Sequence, residues 1–240
     1  MPDRERDEQR LFGVVSNALR RWLGKAHDAV MAPWHAFKMQ PDPIGVYQTQ
    51  MAWDSEVDSI MTVIGQISMS SWNEVTNLPP VSRHAFVVSQ LAQTQNLLVR
   101  LPDEVYNLIF AELTDAVNDG DSVEQIAQRI DRLLSYTESE RWPNRARVIA
   151  VTETTRAYGA GTVAAGLEQS RLTGRRLLKR WDTEHDQRVR PAHRQADGQV
   201  VPLSQPFQVG GFYLMFPGDP MGPPEEVINC RCDVRIVEGG

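Results

Sequence analysis

The sequence predicts an α+β protein in which a mainly α-helical N-terminal arm or bundle precedes a small C-terminal α+β domain with short antiparallel strands. Apolar residues recur at helical spacing through the first two-thirds of the 240-residue chain. After Gly174 the runs become short, and glycine and proline become frequent. The charge changes as well, since residues 1–140 carry 11 basic and 20 acidic side chains, whereas residues 141–240 carry 14 and 11.

The composition excludes several classes of protein. With 41% hydrophobic residues the chain can fold, and its net charge of −6 argues against a dedicated nucleic-acid reader. No apolar run approaches the roughly 18 residues of a membrane span. The charged start, MPDRERDEQR, lacks the apolar core of a secretory signal. The two cysteines, Cys230 and Cys232, suit a reducing cytosol better than a disulfide framework.

The first predicted domain, residues 1–40, is an amphipathic helix followed by a linker. Apolar residues from Leu11 to Ala26 follow the i, i+3, i+4, i+7 pattern. Pro33 and two further prolines are expected to break it, which makes residues 39–47 a linker. The helix either packs on the protein surface or docks on a partner or membrane surface through its tryptophan, leucines and basic side.

The second predicted domain, residues 41–140, is a helical arm or bundle. Helices are expected over Asp54–Trp72, from Ser82 onward, and after a turn at Leu101–Asp103, where Val105, Ile109, Leu113 and Val117 fall four apart. Ser122 and Gln125 then form a capping box, in which each side chain binds the other's free backbone N–H. Short turns between these helices favour a bundle.

The third predicted domain, residues 141–240, begins with a helix over about 143–170. Gly159, Gly161 and Gly166 each weaken this helix by roughly 1 kcal/mol relative to alanine, which suggests close backbone packing against another element. Short strands are expected over Leu177–Trp181, Gln199–Leu203, Phe212–Phe216 and Cys232–Val237, with one or two helical turns at Arg188–Gln195.

Four side chains in this domain are candidates for a metal site. His185, His193, Cys230 and Cys232 supply four donors, the number that tetrahedral zinc takes. However, C-x-C is not the usual C-x₂₋₄-C spacing, and the thiols could equally be small buried apolar groups beside locally hydrogen-bonded histidines. We therefore expect no cofactor and keep zinc at these residues as the alternative.

Two further interpretations concern the same polar segment. His193 could form a hydrolytic site with Asp186, Asp197 and Ser204, although neither G-x-S-x-G nor H-E-x-x-H is present. The residue chemistry favours a structural polar network instead. In that network Arg188 and Arg190 would each form a bidentate ion pair with a carboxylate such as Asp182 or Asp186.

A basic run, RLTGRRLLKR, follows the predicted long helix. It suggests a sequence-independent, salt-sensitive contact with DNA phosphates. The alternative is a solvated face, or pairing with the acidic N-terminal part. The candidate DNA contacts are Arg171, Arg175, Arg176, Lys179 and Arg180.

Four segments together resemble the phage Mu F-like head morphogenesis family, the minor capsid proteins of tailed bacteriophages. They are RVIAVTETTRAYGAG at 147–161, LLKRWDTEHDQRVRPAHRQADGQ at 177–199, FPGDP at 216–220 and EEVINCRC at 225–232. The order and spacing of four segments are more specific than any one motif. The structural motif residues that fill the family pattern are Glu153, Trp181, Asp186, Arg188, Arg190, His193, Asp197, Gly198, Asn229, Cys230, Arg231 and Cys232.

This resemblance implies a non-enzymatic minor capsid protein with no catalytic residues. The protein would be made in the host bacterial cytoplasm and reside inside the virion head near the portal, where it assists head assembly or the handling of packaged DNA. Its expected partners are the portal protein, the inner capsid or scaffold, and packaged double-stranded DNA, with no membrane. The alternative is a metal-dependent hydrolase, a head-maturation protease or nuclease, that uses His193, Cys230 and Cys232.

Overall fold

A computed structural model describes residues 2–78 and 85–239, and it confirms the predicted α+β class. Long helices fill the first part of the chain, and short strands follow them. The helices are α1 (Pro2–Phe37), α2 (Gln50–Val75), α3 (Ala85–Leu98), α4 (Leu101–Asn118), α5 (Val123–Leu134), α6 (Arg141–Thr173), α7 (Pro191–Ala196) and α8 (Pro224–Val227). The strands are β1 (Leu177–Asp182), β2 (Val200–Pro202), β3 (Phe207–Val209), β4 (Phe212–Leu214) and β5 (Asp233–Glu238).

Three predictions about the helical part need correction or fall outside the described chain. Pro33 lies inside α1 and does not end it, because the helix continues to Phe37. The predicted linker contains the start of a 3₁₀ helix, Pro43–Thr49, whose first turn is capped by the Asp42 carboxylate accepting the N–H of Ile44 at 3.0 Å. The predicted start of a helix at Ser82 lies outside the described residues.

Helices α4 and α5 follow their predicted apolar spacing with one exception. Val105, Ile109 and Leu113 are buried, whereas Val117, the last residue of the spacing, is 58% exposed. The capping box of α5 is present, with both hydrogen bonds between Ser122 and Gln125 formed.

Contacts divide the chain into two compact units. One comprises Met1–Phe12, Met61–Thr94 and Val148–Gly240, and the other comprises Gly13–Ile60 and Gln95–Arg147. The domain limits predicted at residues 40 and 140 stay predictions. Among the described helices, none combines the length and the apolar character that crossing a bilayer requires.

The second unit packs around two tryptophans. The rings of Trp22 and Trp53 lie 5.1 Å apart between centroids, and both side chains are fully buried. Each indole N–H has an acceptor, the hydroxyl of Thr49 for Trp22 and the carbonyl of Leu98 for Trp53. These pairs satisfy the polar atom that each large ring carries into the core.

The first unit contains two small antiparallel sheets. Strand β1 lies between β2 and β5, and β3 pairs with β4. Strand β4 was predicted, but β3 and its hairpin with β4 were missed, although the turn residues between them signal a hairpin. Gly210 and Gly211 connect the strands with φ angles of 58° and 87°, the positive values that a two-residue hairpin turn requires.

The glycines of α6 confirm the predicted close packing. A Cβ atom on Gly161 would lie 2.4 Å from the carbonyl oxygen of Ser68 in α2. On Gly159 it would meet the ring of Phe216 at 2.6 Å, and on Gly166 the side chain of Ile236 at 2.8 Å. Neighbouring elements therefore pack directly against the backbone of α6.

Candidate functional site

Three of the four family-like segments meet on helix α6. The TETTR stretch, residues 152–156, is buried and contacts both the FPGDP loop and the INCRC segment that precedes β5. Segments distant in the sequence are thus held on two turns of one helix. The candidate site is built around these contacts on α6.

A buried ion pair lies at the centre of that helix surface. The Glu153 carboxylate is 2.7 Å from Nη1 of Arg156 and accepts a hydrogen bond from Thr94 Oγ1 at 2.6 Å. Arg156 donates a second hydrogen bond, from Nε to the carbonyl of Gly218. Burial raises the pKa of Glu153, against the opposing attraction of Arg156. Arg156 and Thr94 were not among the predicted site residues.

The FPGDP loop is shaped to fit against Arg156. Gly218 has a φ of +79°, and a Cβ there would lie 3.1 Å from Cγ of Arg156. Asp219 fixes the loop from the other side, because its carboxylate accepts the backbone N–H groups of Met215 and Met221 at 2.7 and 2.9 Å. The loop therefore closes over the ion pair by backbone contacts.

The INCRC segment is attached to α6 by backbone hydrogen bonds. Asn229, at a φ of 56°, donates its N–H to the Thr152 hydroxyl, and the Thr155 hydroxyl donates to the carbonyl of Cys230 at 2.6 Å. Arg4, from the first turn of α1, donates to Thr155 and to the carbonyl of Cys232, and forms an ion pair with Asp233. These contacts position both thiols.

The two thiols converge on the imidazole of His193, which α7 supplies. Nδ1 of His193 lies 3.3 Å from Sγ of Cys232 and 3.6 Å from Sγ of Cys230. All three side chains are buried, with at most 4% of any residue exposed. Such a set of donors could hold a thiophilic metal ion, or could form a closed thiol–imidazole network.

Two further groups complete the surroundings of His193. Its Nε2 lies 2.9 Å from a carboxylate oxygen of Glu226, which was not among the predicted site residues although it falls in the EEVINCRC segment. The ring of Trp181 meets the imidazole edge-on, with 5.4 Å between centroids. The predicted association of Trp181, His193 and Cys232 is therefore present.

The electrostatics of the two thiols differ. A hydrogen bond from Cys232, supported by His193, lowers the pKa of Cys230 well below its usual value. The same bond, together with burial, raises the pKa of Cys232.

The structure separates several residues that were grouped in the sequence analysis. His185 lies outside the thiol cluster, with its side chain 72% exposed and its Nδ1 3.4 Å from Asp197. The hydrolytic arrangement of His193 with Asp186, Asp197 and Ser204 is wrong, because the two ring nitrogens of His193 face Glu226 and the thiols.

The predicted polar network exists with different pairs. Asp186 is bound by Arg231, whose Nη2 lies 2.8 Å from both carboxylate oxygens and holds the pKa of Asp186 below its usual value. Arg188 reaches Asp186 only at 3.5 Å, and Arg190 donates to the carbonyl of Ile228 and not to a carboxylate.

Asp197 and Gly198, two of the family motif residues, form a turn before β2. The carboxylate of Asp197 accepts the N–H of Thr183 at 2.8 Å. Gly198, at a φ of +75°, donates its N–H to the carbonyl of Trp181. The turn fixes β1 beside the segment that supplies His193.

The basic run is only partly available to a ligand. Lys179 is fully buried and donates to the carbonyl of Met215 at 2.6 Å, so its predicted contact with DNA is wrong. Arg171 pairs with Glu168, Arg175 with Glu238 and Arg180 with Asp182. Arg171, Arg175 and Arg176 are exposed.

Two comparisons with known proteins found similar sequences. The chain is 28% identical over 124 residues to the uncharacterized protein YqbB of Bacillus subtilis (strain 168), an alignment that covers 50% of this chain and 38% of that protein. The chain thus spans well under half the length of this relative. No solved structure matches the chain.

A family model described as Phage Mu protein F like protein matches residues 107–235. This match covers more than half of the chain and includes α6, the FPGDP loop and the thiol cluster, so the chain belongs to the Phage Mu protein F-like family.

Proposed function

We propose that the protein is a non-enzymatic minor component of the phage head, located inside the head near the portal, and that it assists head assembly. Membership of a phage head morphogenesis family supports the general role. The observation that carries the proposal is the use of the motif residues inside the fold. Glu153, His193, Cys230 and Cys232 are buried and paired with protein groups, as expected for residues that maintain a structure.

We place the docking surface on the exposed face of α4. Phe110 and Val117, seven residues apart on one side of this helix, are 56% and 58% exposed. With Leu113, Pro41 and Pro43 they line an open groove whose surface is mainly apolar. Exposed apolar patches of this kind are typical of protein-binding sites. The occupant that we propose is the portal protein.

The test is incorporation into particles. Procapsids and virions would be purified from the phage and analysed by mass spectrometry, with crosslinking to identify the neighbour of α4. We expect the wild-type protein in both particles and crosslinks from the α4 groove to the portal. Absence of the protein from both would overturn the proposed role.

Two variants separate the docking surface from the general role. Replacing Phe110→Ser and Val117→Ser together is expected to reduce incorporation at least tenfold without unfolding the protein, because both side chains are already exposed. Leu172→Ser, which removes a side chain of 52% exposure at the end of α6, is the matched control and should leave incorporation unchanged. Equal incorporation of all these proteins would overturn the α4 surface while leaving the role in the head intact.

A further inference from the structure

We propose that Nδ1 of His193 and the sulfurs of Cys230 and Cys232 bind one thiophilic divalent cation, zinc in the cell, in a structural site. The proposal goes beyond the role in the head and does not depend on it. It rests on the separation of the three donor atoms, on the second contact of the imidazole and on an unpartnered N–H beside them.

The separations of the donors match the edges of a zinc tetrahedron. Bond lengths of about 2.3 Å to sulfur and about 2.0 Å to nitrogen place a sulfur and a nitrogen ligand about 3.5 Å apart. The observed sulfur–nitrogen separations are 3.3 and 3.6 Å. All three donor atoms lie within 4.8 Å of one another, an upper limit that the tetrahedral sulfur–sulfur edge of about 3.8 Å satisfies.

Glu226 gives the imidazole the orientation of a metal ligand. Its carboxylate lies 2.9 Å from Nε2, so that nitrogen carries the proton and donates it. The lone pair of Nδ1 is then directed at the two sulfurs. Histidines that bind metal commonly donate their other ring N–H to a carboxylate, which fixes the tautomer and increases the basicity of the ligand.

Trp181 provides a second, independent observation. Its indole N–H is buried and has no hydrogen-bond partner among the described residues, and its ring meets the imidazole of His193 edge-on with 5.4 Å between centroids. A buried donor without an acceptor is costly. A metal-bound thiolate carries the negative charge that such a donor would stabilise.

The burial and chemistry of the donors define the kind of site. Two thiolates and one imidazole select a soft or borderline ion such as zinc over magnesium or calcium. The three residues are at most 4% exposed, so the ion would be enclosed and would join α7 to the segment before β5. The described residues supply three ligands, and a water molecule would fill the fourth position of the ion.

The first test uses the metal alone on the full chain. Protein freed of metal by a chelator would be titrated with Co²⁺ and with Zn²⁺, and its metal content measured after dialysis. We expect one ion per chain, thiolate-to-cobalt charge-transfer bands, and visible bands of four-coordinate cobalt. A folded chain that binds less than a tenth of an equivalent, or that gives no charge-transfer bands, would overturn the proposal. So would a Cys230–Cys232 disulfide, detected as a mass lower by about two hydrogens.

The second test uses variants outside the ligand set, because Cys232→Ser could prevent folding. Glu226→Gln retains a group of the same size and is expected to weaken zinc affinity 10–100-fold. Glu225→Gln, its exposed neighbour, and His185→Ala, the other histidine of the segment, should leave affinity unchanged. Equal affinity of Glu226→Gln and Glu225→Gln would contradict the assigned orientation of His193 and overturn the site.

Discussion

At the scale of single residues, buried charges set the main energetic constraints on the C-terminal region. Glu153 and Arg156 are 5% and 3% exposed, and each makes further hydrogen bonds besides their ion pair. A buried ion pair gains little over an apolar pair of similar volume, but removing one partner leaves an uncompensated charge. The pair therefore specifies how the FPGDP loop and α3 meet α6.

The first prediction compares two arginines of α6 that pair with a glutamate three residues away. Arg156→Met is expected to lower the free energy of unfolding by about 3–5 kcal/mol, because Glu153 keeps its buried charge. Arg171→Met removes the exposed pair with Glu168 and should lower the free energy of unfolding far less. Urea denaturation measures both values. Equal losses would contradict the assigned role of the buried pair, and adding Glu153→Gln to Arg156→Met should restore part of the loss.

The second prediction concerns pH. Burial lowers the pKa of Lys179 from its ordinary value of 10.5 to about 8. The unfolded chain therefore holds more protons than the native protein between these values, so stability rises with pH through that window. At about 1.4 kcal/mol per pKa unit, the gain approaches roughly 3 kcal/mol.

The check is the stability of the wild type minus that of Lys179→Met, measured by urea denaturation from pH 7 to pH 10.5. This difference removes the titration of groups common to both proteins. The stability of the wild type relative to Lys179→Met should increase as the pH rises. Two parallel stability curves would show that the Lys179 ammonium is not destabilised by burial.

Residue types and spacing predict part of the candidate site. The proximity of Cys230 and Cys232 follows from their C-x-C spacing, and the grouping of His193 with them was among the alternatives. The exclusion of His185 could not be predicted, because it depends on a positive φ angle that turns this residue toward Asp197. The role of Arg4 could not be predicted either, since it depends on a contact with Cys232, 228 residues away in the sequence.

At the scale of elements, helix α6 is organised by small residues. Gly161 brings its backbone against α2, and Ser71 of α2 donates to the carbonyl of Tyr158 and bonds to the Thr162 hydroxyl. These contacts replace side-chain interdigitation with direct backbone approach. The glycines therefore cost helix propensity but permit a short interhelical distance.

The third prediction follows from this packing. Gly161→Ala is expected to lower stability by about 1–3 kcal/mol, since its Cβ would overlap the Ser68 carbonyl and the helices would have to separate. Gly65→Ala, in α2 with nothing within 4 Å of its Cβ, should raise stability by up to about 1 kcal/mol. Thermal and urea denaturation check the signs. A stabilising effect of Gly161→Ala would contradict the close approach.

Element type could be predicted more completely than element length. Four of the five described strands were expected, because β-branched and aromatic residues alternate with glycine and proline signals there. The extension of α1 back to Pro2 was missed, since its charged first turns have no apolar stripe, and its extension to Phe37 was missed because Pro33 was expected to break the helix. Tertiary contacts of Arg4 and Asp7 stabilise that part of the helix.

At the scale of the whole molecule, the charge distribution limits any interaction with nucleic acid. The net charge is −6, and most arginines of the basic run are paired with carboxylates. Arg175 and Arg176 remain exposed. A contact with packaged DNA would therefore involve few phosphates.

The fourth prediction states the consequence for binding. Double-stranded DNA should be bound only at low ionic strength, and log K should fall with log salt concentration with a slope of about −1 to −2, as for one or two phosphates. Arg175→Glu with Arg176→Glu should abolish this binding. Fluorescence anisotropy over a salt series measures it. Tight binding at physiological salt would show that other residues form the DNA contact.

Arg4 also constrains when this protein can finish folding. The first turn of α1 is synthesised long before Cys232 and Asp233, the groups to which it binds. While the ribosome elongates the chain, the emerging start of α1 lacks these acceptors, and contacts that join residues so far apart in sequence form slowly. The segment before β5, which is made late, therefore secures the start of α1, which is made early, and the first unit cannot complete its packing until residue 233 has left the ribosome.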